Sequence, residues 1–227
     1  ELITPPKPLK PGQIYDSNSF SLKGALEEMS LVPQFSQKVT DDKEALIQAI
    51  RDSLAQCDFI VLTGGVSVGD FDFVQEAAAN CGVEKVFWKV RQKPGKPMYF
   101  GKTEGGKFVF GLPGNPASAL VCFYEFVRPA LLRAMGSGAP FLPALSLPLG
   151  KAIKIKNSRP QFLRAFVKTH GQEAHVEILR GQGSHILKSF AQANALVLLP
   201  EGDFDFKRGE EIEVHLLPNF VGSGEAI

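Results

Sequence analysis

The chain has 227 residues, of which 44% are hydrophobic and 22% charged, and its formal net charge is +1. This length and composition are typical of a soluble globular protein with a sizeable apolar core in one large or two small domains. The near-zero charge provides no global field for nucleic acid or an anionic membrane, so we expect neither partner and expect any anion site to be local. No stretch approaches the roughly 20 apolar residues of a membrane span.

The cysteine pattern gives little support to a zinc or redox site. Cys57, Cys81 and Cys122 are odd in number and far apart, and the sequence contains no Cys-x-x-Cys pair. Such cysteines usually fill small apolar gaps in a reducing compartment, which predicts a cytoplasmic protein.

Residues 1–15 are predicted to be a linker. The chain begins at Glu1, and a proline-rich stretch follows from Thr4 to Gly12. Proline and the residue before it favour extended backbone. We therefore expect a preceding region that this sequence lacks.

Two helices are predicted next. Asp16–Ser19 offers capping side chains, and apolar residues follow at helical spacing from Leu22 to Met29. The segment Asp41–Glu44 has the spacing of a capping box and would open a second amphipathic helix that extends to Leu54.

Strands and helices then alternate. Phe59–Leu62 is typical of a buried parallel strand, and a helix is predicted from Phe73 to near Gly82. Val86–Val90 and Phe108–Phe110 have strand character.

A fourth, long helix is predicted from Ala117 to about Met135. Asn115 as N-cap with Pro116 at the first helical position is a strong start signal. The alternation as a whole predicts a doubly wound, three-layer α/β domain over residues 16–138.

After residue 138 the pattern changes to short β runs. Gly136–Pro140 resembles a hinge, and turns are predicted at Glu201–Asp203 and Arg208–Gly209. The runs with β character are Ala165–Lys168, Ala174–Ile178, Ala195–Leu199 and Glu211–His215. Several short strands at this spacing predict a small β-barrel or sandwich over residues 139–227.

Two glycine-rich turns follow predicted strands and lead into helices. In open α/β sheets, ligands bind at the carboxyl ends of the strands, where helix N-termini offer free N–H groups. The turns therefore predict a site for a phosphorylated ligand, although such turns can also serve only as connections. The ligand-binding candidates in these turns are Gly64, Gly65, Ser67, Gly69, Pro113, Gly114 and Asn115.

A group of cations and a group of carboxylates complete the candidate site. Lys89, Arg91 and Lys93 alternate with uncharged residues, so a strand would carry them on one face, and Lys96 follows in a stiff Pro-Gly turn. They fit an anion site or a lysine-rich solvated edge. The aspartates Asp41, Asp70 and Asp72 suggest Mg²⁺ beside a phosphate, or simple helix caps.

Ser67 allows a different hypothesis. Gly65–Gly69 fits the G-x-S-x-G elbow of serine hydrolases. All four histidines follow the predicted domain break, and only one central strand precedes Ser67, which disfavours this hypothesis.

Four segments are distinctive as an ordered set: Thr63–Asp72, Trp88–Lys89, Lys93–Pro97 and Gly111–Pro116. Together they resemble the molybdopterin molybdenumtransferases, the MoeA family that includes the gephyrin E-domain. Gly12–Ser19, Gln161–Arg164 and Gly183–Ile186 are also similar to the family. The resemblance covers essentially the whole chain, as the C-terminal half of longer proteins with a MogA-like α/β domain and a β-barrel domain.

The resemblance implies an enzyme that inserts molybdate into adenylylated molybdopterin and releases AMP, with Mg²⁺ as cofactor. It implies catalytic roles for Asp41, Asp72, Lys89 and Lys93. By the same resemblance Asp41, Asp72 and Glu1 lie near the metal. It further implies that Lys96, Arg164 and Ser184 bind the anionic substrates.

Partners are also implied. The family's site lies between subunits of a homodimer, and a MogA-like molybdopterin adenylyltransferase supplies the substrate. A gephyrin-like, non-catalytic scaffold remains an alternative. A relative that makes the adenylylated intermediate would lack the barrel, so residues 140–227 argue against that possibility.

Overall fold

The computed structural model describes residues 2–67, 73–171 and 173–219. The elements of the first part are β1 (Leu2–Ile3), β2 (Ile14–Tyr15), α1 (Ser17–Glu27), α2 (Lys43–Gln56), β3 (Phe59–Thr63), α3 (Val74–Asn80), β4 (Val83–Trp88), β5 (Tyr99–Thr103), β6 (Phe108–Leu112), α4 (Pro116–Cys122), a π-helix (Phe123–Val127) and α5 (Arg128–Ala134). Those of the second are β7 (Ala144–Pro148), β8 (Ile153–Asn157), β9 (Gln161–His170), β10 (Glu173–Ile178), α6 (Lys188–Ala191), β11 (Ala195–Leu199), β12 (Gly202–Phe206) and β13 (Glu211–Leu216).

The first part is a three-layer α/β domain, as predicted. Its four-stranded sheet has the order β3-β6-β5-β4, in which β3 and β6 are parallel and the other neighbours antiparallel. Alternation along β3 sends Phe59 and Val61 into the apolar cluster that contains α1 and α4, and Ile60 into the cluster that contains α2 and α3. The sheet is therefore covered by helices on both faces.

The two helices predicted near the N-terminus are present, with one correction. Asp16 caps α1, since its carboxylate accepts the N–H of Ser19 at 3.1 Å. The cap of α2 is Asp42, whose carboxylate accepts the N–H of Ala45 at 2.8 Å, and not Asp41. The helix starts one residue later than the capping-box spacing indicates, because Asp42 has the extended backbone of an N-cap and makes this bond. Residues 2–3 and 14–15, inside the predicted linker, pair as parallel strands.

The long predicted helix is three consecutive segments, with the π-helix between α4 and α5. Asn115 and Pro116 occupy the predicted N-cap and first positions, but the Asn115 side chain makes no capping hydrogen bond. Every residue of α4 after Pro116 is buried. No helix in the described residues is long and apolar enough to cross a membrane.

The second part is the predicted small β-barrel. Five antiparallel strands have the order β10-β9-β11-β13-β7, and the bridge between Leu149 and Val176 joins the end of β7 to β10. The four predicted β runs fall within β9, β10, β11 and β13. The pair β8 and β12 was not predicted, and the supposed turn Glu201–Asp203 contains the start of β12. Both strands alternate with period two, which is the signal that could have identified them.

The two domains share one apolar core. A single cluster contains Leu112 and Phe123 of the α/β domain together with Phe162, Phe190 and Leu196 of the barrel. Burial of such side chains contributes about 1.5–3 kcal/mol each, so this cluster fixes the domains against each other.

A buried arginine organises the barrel side of this junction. Arg164 on β9 is fully buried, and its guanidinium donates to the carbonyl oxygens of Gly181 and Gly183, both at 3.0 Å, and to Ser189 Oγ at 3.3 Å. Burial lowers its pKa to about 10, so the side chain remains charged at neutral pH. It therefore fixes the loop that precedes Ser184.

A hydrogen-bonded pair of titratable side chains crosses the junction. The His215 ring contacts Glu125 of the π-helix through Nδ1 at 2.9 Å and Glu213 through Nε2 at 3.1 Å. The hydrogen bond to Glu125 is the largest effect on His215 and raises its pKa, against a smaller opposing effect of burial.

We expect Arg164→Ala to lower the free energy of unfolding by about 3 kcal/mol, because it removes a buried side chain and three donated hydrogen bonds. Urea unfolding followed by circular dichroism measures this. Arg133→Ala, at an exposed position, is the matched control and should change stability by less than about 0.5 kcal/mol. Equal effects of the two substitutions would contradict the structural role.

We expect the stabilisation from His215 to depend on pH. Because its native pKa is raised above the value of 6.5 for an unperturbed histidine, the contribution is complete below pH 6.5 and is lost as the pH rises through the native pKa. The wild type should thus exceed His215→Gln by on the order of 1 kcal/mol at pH 6 and by less at pH 9. Urea titrations at both pH values test this, with the exposed His170→Gln as control; a pH-independent difference would refute it.

Candidate functional site

The two glycine-rich turns meet, as predicted. Because β3 and β6 are parallel neighbours with Thr63 opposite Leu112, the turns begin side by side. Gly64 donates its N–H to the Leu112 carbonyl at 3.0 Å. Gly64 and Gly65 have φ values of +82° and +66°, the left-handed region that favours glycine. A Cβ placed on Gly114 would lie 3.7 Å from Gly64 Cα, so the two turns are in contact.

A third element, not singled out in the sequence, supports these turns. Asn18, in the first turn of α1, donates its side-chain N–H to the Gly114 carbonyl at 2.8 Å. Its Oδ1 is buried and has no hydrogen-bond partner among the described residues. Asn18 lies in the predicted cap segment Asp16–Ser19. Its place at the start of a helix was the only feature of the sequence that could have indicated a role at the site.

The barrel closes over the start of α4. Asn115 Nδ2 donates to Ser184 Oγ at 3.1 Å, and the backbone N–H of Ala117 donates to the Ser184 carbonyl at 3.0 Å. Two predicted ligand-binding residues, one from each domain, are therefore in direct contact. The Ser184 carbonyl satisfies one of the free N–H groups at the start of α4.

The predicted strand face of cations is wrong. β4 ends at Trp88, and Lys89 has a φ of +70°, which takes the chain out of the strand. Lys89, Arg91 and Lys93 are nevertheless all exposed, while Gln92 between them is buried. The alternation of charge reflects a loop that covers the core.

We call residues 89–98 the lysine loop. Two backbone hydrogen bonds close it: Lys89 N–H to the Met98 carbonyl at 2.8 Å and Val90 N–H to the Lys96 carbonyl at 2.9 Å. Two more attach it to the barrel, from Lys93 N–H to the Pro160 carbonyl and from Phe162 N–H to the Lys93 carbonyl. The position of Lys93 therefore depends on both domains.

A basic pocket of about 360 Å³ borders the lysine loop. Its lining residues are Lys89, Val90, Arg91, Lys96, Ser158 and Arg159. The Arg159 Nε is buried without a partner among the described residues. Four cations and no carboxylate line the pocket, so its electrostatics favour an anion.

Two of the pocket's cations have distinct local contacts. Lys89 Nζ lies 3.8 Å from the centre of the Trp88 ring. Arg91 pairs with Glu201 of the barrel and donates to the Ser158 carbonyl at 3.3 Å. Arg159 was missed in the sequence, although it lies two residues before the Gln161–Arg164 segment.

Arg164 is placed differently from the other candidates. Its fully buried guanidinium is occupied by Gly181, Gly183 and Ser189, so in this structure it acts on the site through the loop that carries Ser184. Its direct contact with a ligand stays a prediction.

Of the three predicted metal-binding residues, only Asp41 lies within the described residues. Asp41 is exposed and directly precedes the α2 cap. Asp72, Glu1 and the ligand candidate Gly69 lie outside the described residues. Within residues 2–67, 73–171 and 173–219, no three His, Cys, Asp or Glu side chains group as metal ligands would. Mg²⁺ binding stays a prediction.

Ser67 is exposed at the end of a described segment. Among the described residues, no histidine ring hydrogen-bonds to it, and both nitrogens of His215 are occupied by Glu125 and Glu213. The described residues thus provide Ser67 with no histidine base, and this part of the chain offers no support for the hydrolase hypothesis.

Comparison with known proteins matches both domains. Residues 1–133 match the family described as "Probable molybdopterin binding domain", and residues 146–217 match "MoeA C-terminal region (domain IV)". The molybdopterin molybdenumtransferase of Haemophilus influenzae is 34% identical and covers 98% of this chain and 55% of its own length. Molybdopterin molybdenumtransferase 2 of Mycobacterium tuberculosis is 37% identical, with coverages of 94% and 53%.

Solved structures agree with this relationship. Two structures of the molybdopterin biosynthesis MoeA protein from Pyrococcus horikoshii superpose with TM-scores of 0.75 and 0.71, at 35% and 27% identity. Both cover 95% of this chain, and it covers 51% and 50% of theirs. The chain thus spans about half the length of the relatives that it matches. With a matched family domain over more than half of its residues, the chain belongs to the MoeA family of molybdopterin molybdenumtransferases.

Proposed function

We propose that this chain carries the molybdopterin-binding and barrel domains of an enzyme that inserts molybdate into adenylylated molybdopterin and releases AMP. The proposal rests on the similarity to proteins named molybdopterin molybdenumtransferase and on the arrangement of the site. Because the chain spans about half of those relatives, the activity of the whole protein is part of the proposal.

One observation supports it most: two candidate anion-binding features lie along the same buried helix. The glycine turns meet Asn115 at the start of α4, and the lysine loop touches the same helix at Cys122. Seven residues of helix separate the two points by about 10 Å. A ligand with phosphates at one end and an incoming oxyanion at the other fits that separation.

The residues divide the chemistry between them. The backbone of the glycine turns can approach the pyrophosphate of the adenylylated substrate, next to the N-terminus of α4. Lys89, Lys93 and Lys96 supply positive charge for the oxyanion. Asp41 and Asp72 would hold Mg²⁺ against the pyrophosphate, since this ion prefers carboxylates together with phosphate oxygens.

The remaining proposals concern the cellular setting. Homodimerisation of the whole protein, supply of the substrate by a MogA-like adenylyltransferase, and a cytoplasmic location follow from the family resemblance. A scaffold function would require none of the lysines, so the binding experiment below also tests that alternative.

We expect Lys93→Ala to weaken binding of adenylylated molybdopterin at least tenfold, equivalent to about 1.4 kcal/mol, because a charged contact to an anion is lost. Isothermal titration calorimetry with Mg²⁺ measures this, and Asp72→Ala should weaken binding only when Mg²⁺ is present.

Lys102→Ala is the matched control, since this exposed lysine lies on β5 outside the lysine loop. It removes the same charge and should leave the affinity within about twofold. If both lysine variants bind like the wild type, the proposed site is wrong and the scaffold alternative gains weight.

A further inference from the structure

Two buried side chains underlie the lysine loop and are not explained by the proposed reaction. Gln92 is 3% exposed, and its Nε2 donates to the Pro94 carbonyl at 3.1 Å. Cys122 of α4 is fully buried, and its Sγ lies 3.6 Å from the Gly95 carbonyl. Burial raises the thiol pKa, so Cys122 keeps the proton that it donates. The carbonyl groups of Pro94 and Gly95 thus both point toward these buried side chains.

The fit at this point is close. Gly95 has a φ of +97°, and a Cβ there would lie 2.5 Å from Cys122 Sγ and 2.7 Å from Gln92 Nε2. Gln92 Nε2 also lies 3.6 Å from Cys122 Sγ, so the two side chains form one support. The loop backbone therefore rests on this support with no room for a side chain.

The direction of the carbonyls fixes the direction of the N–H groups. In a trans peptide, C=O and N–H point in opposite directions. The peptides after Pro94 and Gly95 are trans, so the N–H groups of Gly95 and Lys96 point away from Gln92 and Cys122. Neither N–H has a hydrogen-bond acceptor in the described part of the chain.

Two successive N–H groups of this kind form a concave site for an anion. Lys96 adds a charge at the same turn and also lines the basic pocket. Neutral N–H donors and an ammonium group together favour a compact oxyanion, because they contact several of its oxygens at once.

We propose that Gln92 and Cys122 are positioning residues that turn the N–H groups of Gly95 and Lys96 outward to bind one tetrahedral oxyanion. This inference rests on the proposed function, which supplies two such groups: molybdate and the phosphate of the nucleotide. Gln92 and Cys122 do not touch the anion. Without them the buried Pro94 and Gly95 carbonyls would lack donors, and the peptides would turn to find new ones.

The test uses the 227-residue chain labelled with ¹⁵N-glycine and ¹⁵N-lysine, titrated with molybdate and, separately, with AMP. We expect saturable downfield shifts of the Gly95 and Lys96 amide protons, and the titrant that produces them identifies the oxyanion. Gln92→Met keeps the side-chain length but removes the donor, and should weaken binding at least fivefold and reduce both shifts. Cys122→Val should do the same, whereas Cys122→Ser retains a donor and should preserve most of the affinity.

A control separates positioning from loss of stability. Val176→Ala lies in the second apolar cluster of the barrel and should lower the melting temperature without changing the affinity or the two amide shifts. If molybdate and AMP both leave the Gly95 and Lys96 amides unmoved, or if Gln92→Met and Cys122→Val bind like the wild type, the inference is wrong. A loss of binding in Lys93→Ala without any effect of Gln92→Met would refute the inference alone, whereas no effect of Lys93→Ala would refute the proposed site.

Discussion

Burial of α4 against both domains is the constraint on which the rest of the structure depends. One face of this helix completes the apolar layer over the central sheet, and the same cluster continues into Phe162 and Phe190 of the barrel. A helix buried in this way cannot rotate or slide without opening cavities, at a cost of several kcal/mol. Every candidate site feature that touches it is fixed by the same packing.

Three segments of the candidate site contact α4 and are positioned by it. The glycine turn before Asn115 ends at the helix start, the Ser184 loop caps that start, and the lysine loop rests on Cys122. Their mutual positions are therefore set by the core, and their exposed groups are free to contact a ligand. Loops held by a rigid scaffold are where binding residues concentrate.

The sequence predicted the parts of this arrangement that depend on local chemistry. Asn115 and Pro116 start a helix for reasons contained in those two residues, and the glycines of both turns mark strand ends without reference to the rest of the chain. The three-layer order follows from hydrophobic runs alternating with helical patterns. These features come from short-range preferences, so a single sequence contains enough information for them.

The failures have a common physical cause, which is that long-range contacts decide the local conformation. Lys89 leaves the strand with a positive φ because residues 89 and 90 bond to Met98 and Lys96, contacts that alternation of charge cannot indicate. Arg164, whose contact with a ligand stays a prediction, is fully buried and donates to Gly181, Gly183 and Ser189, which are contacts that its local sequence cannot indicate. Arg159 lines the pocket from the barrel side. The residues next to it in the sequence do not indicate that it would lie beside the lysine loop.

The domain junction also contains a carboxylate, that of Glu125, whose negative charge must be offset. Glu125 follows Cys122 by three residues, and after burial its negative charge is the second cause of the raised Cys122 pKa, so its field reaches the thiol that supports the lysine loop. A negative charge with this reach opposes anion binding. His215 of the barrel donates to Glu125, and the same contact that joins the domains offsets this charge while the histidine is protonated. The contact therefore connects domain packing to the electrostatics beneath the lysine loop, because loss of the histidine proton would weaken the junction and leave the Glu125 charge acting on Cys122 without its partner.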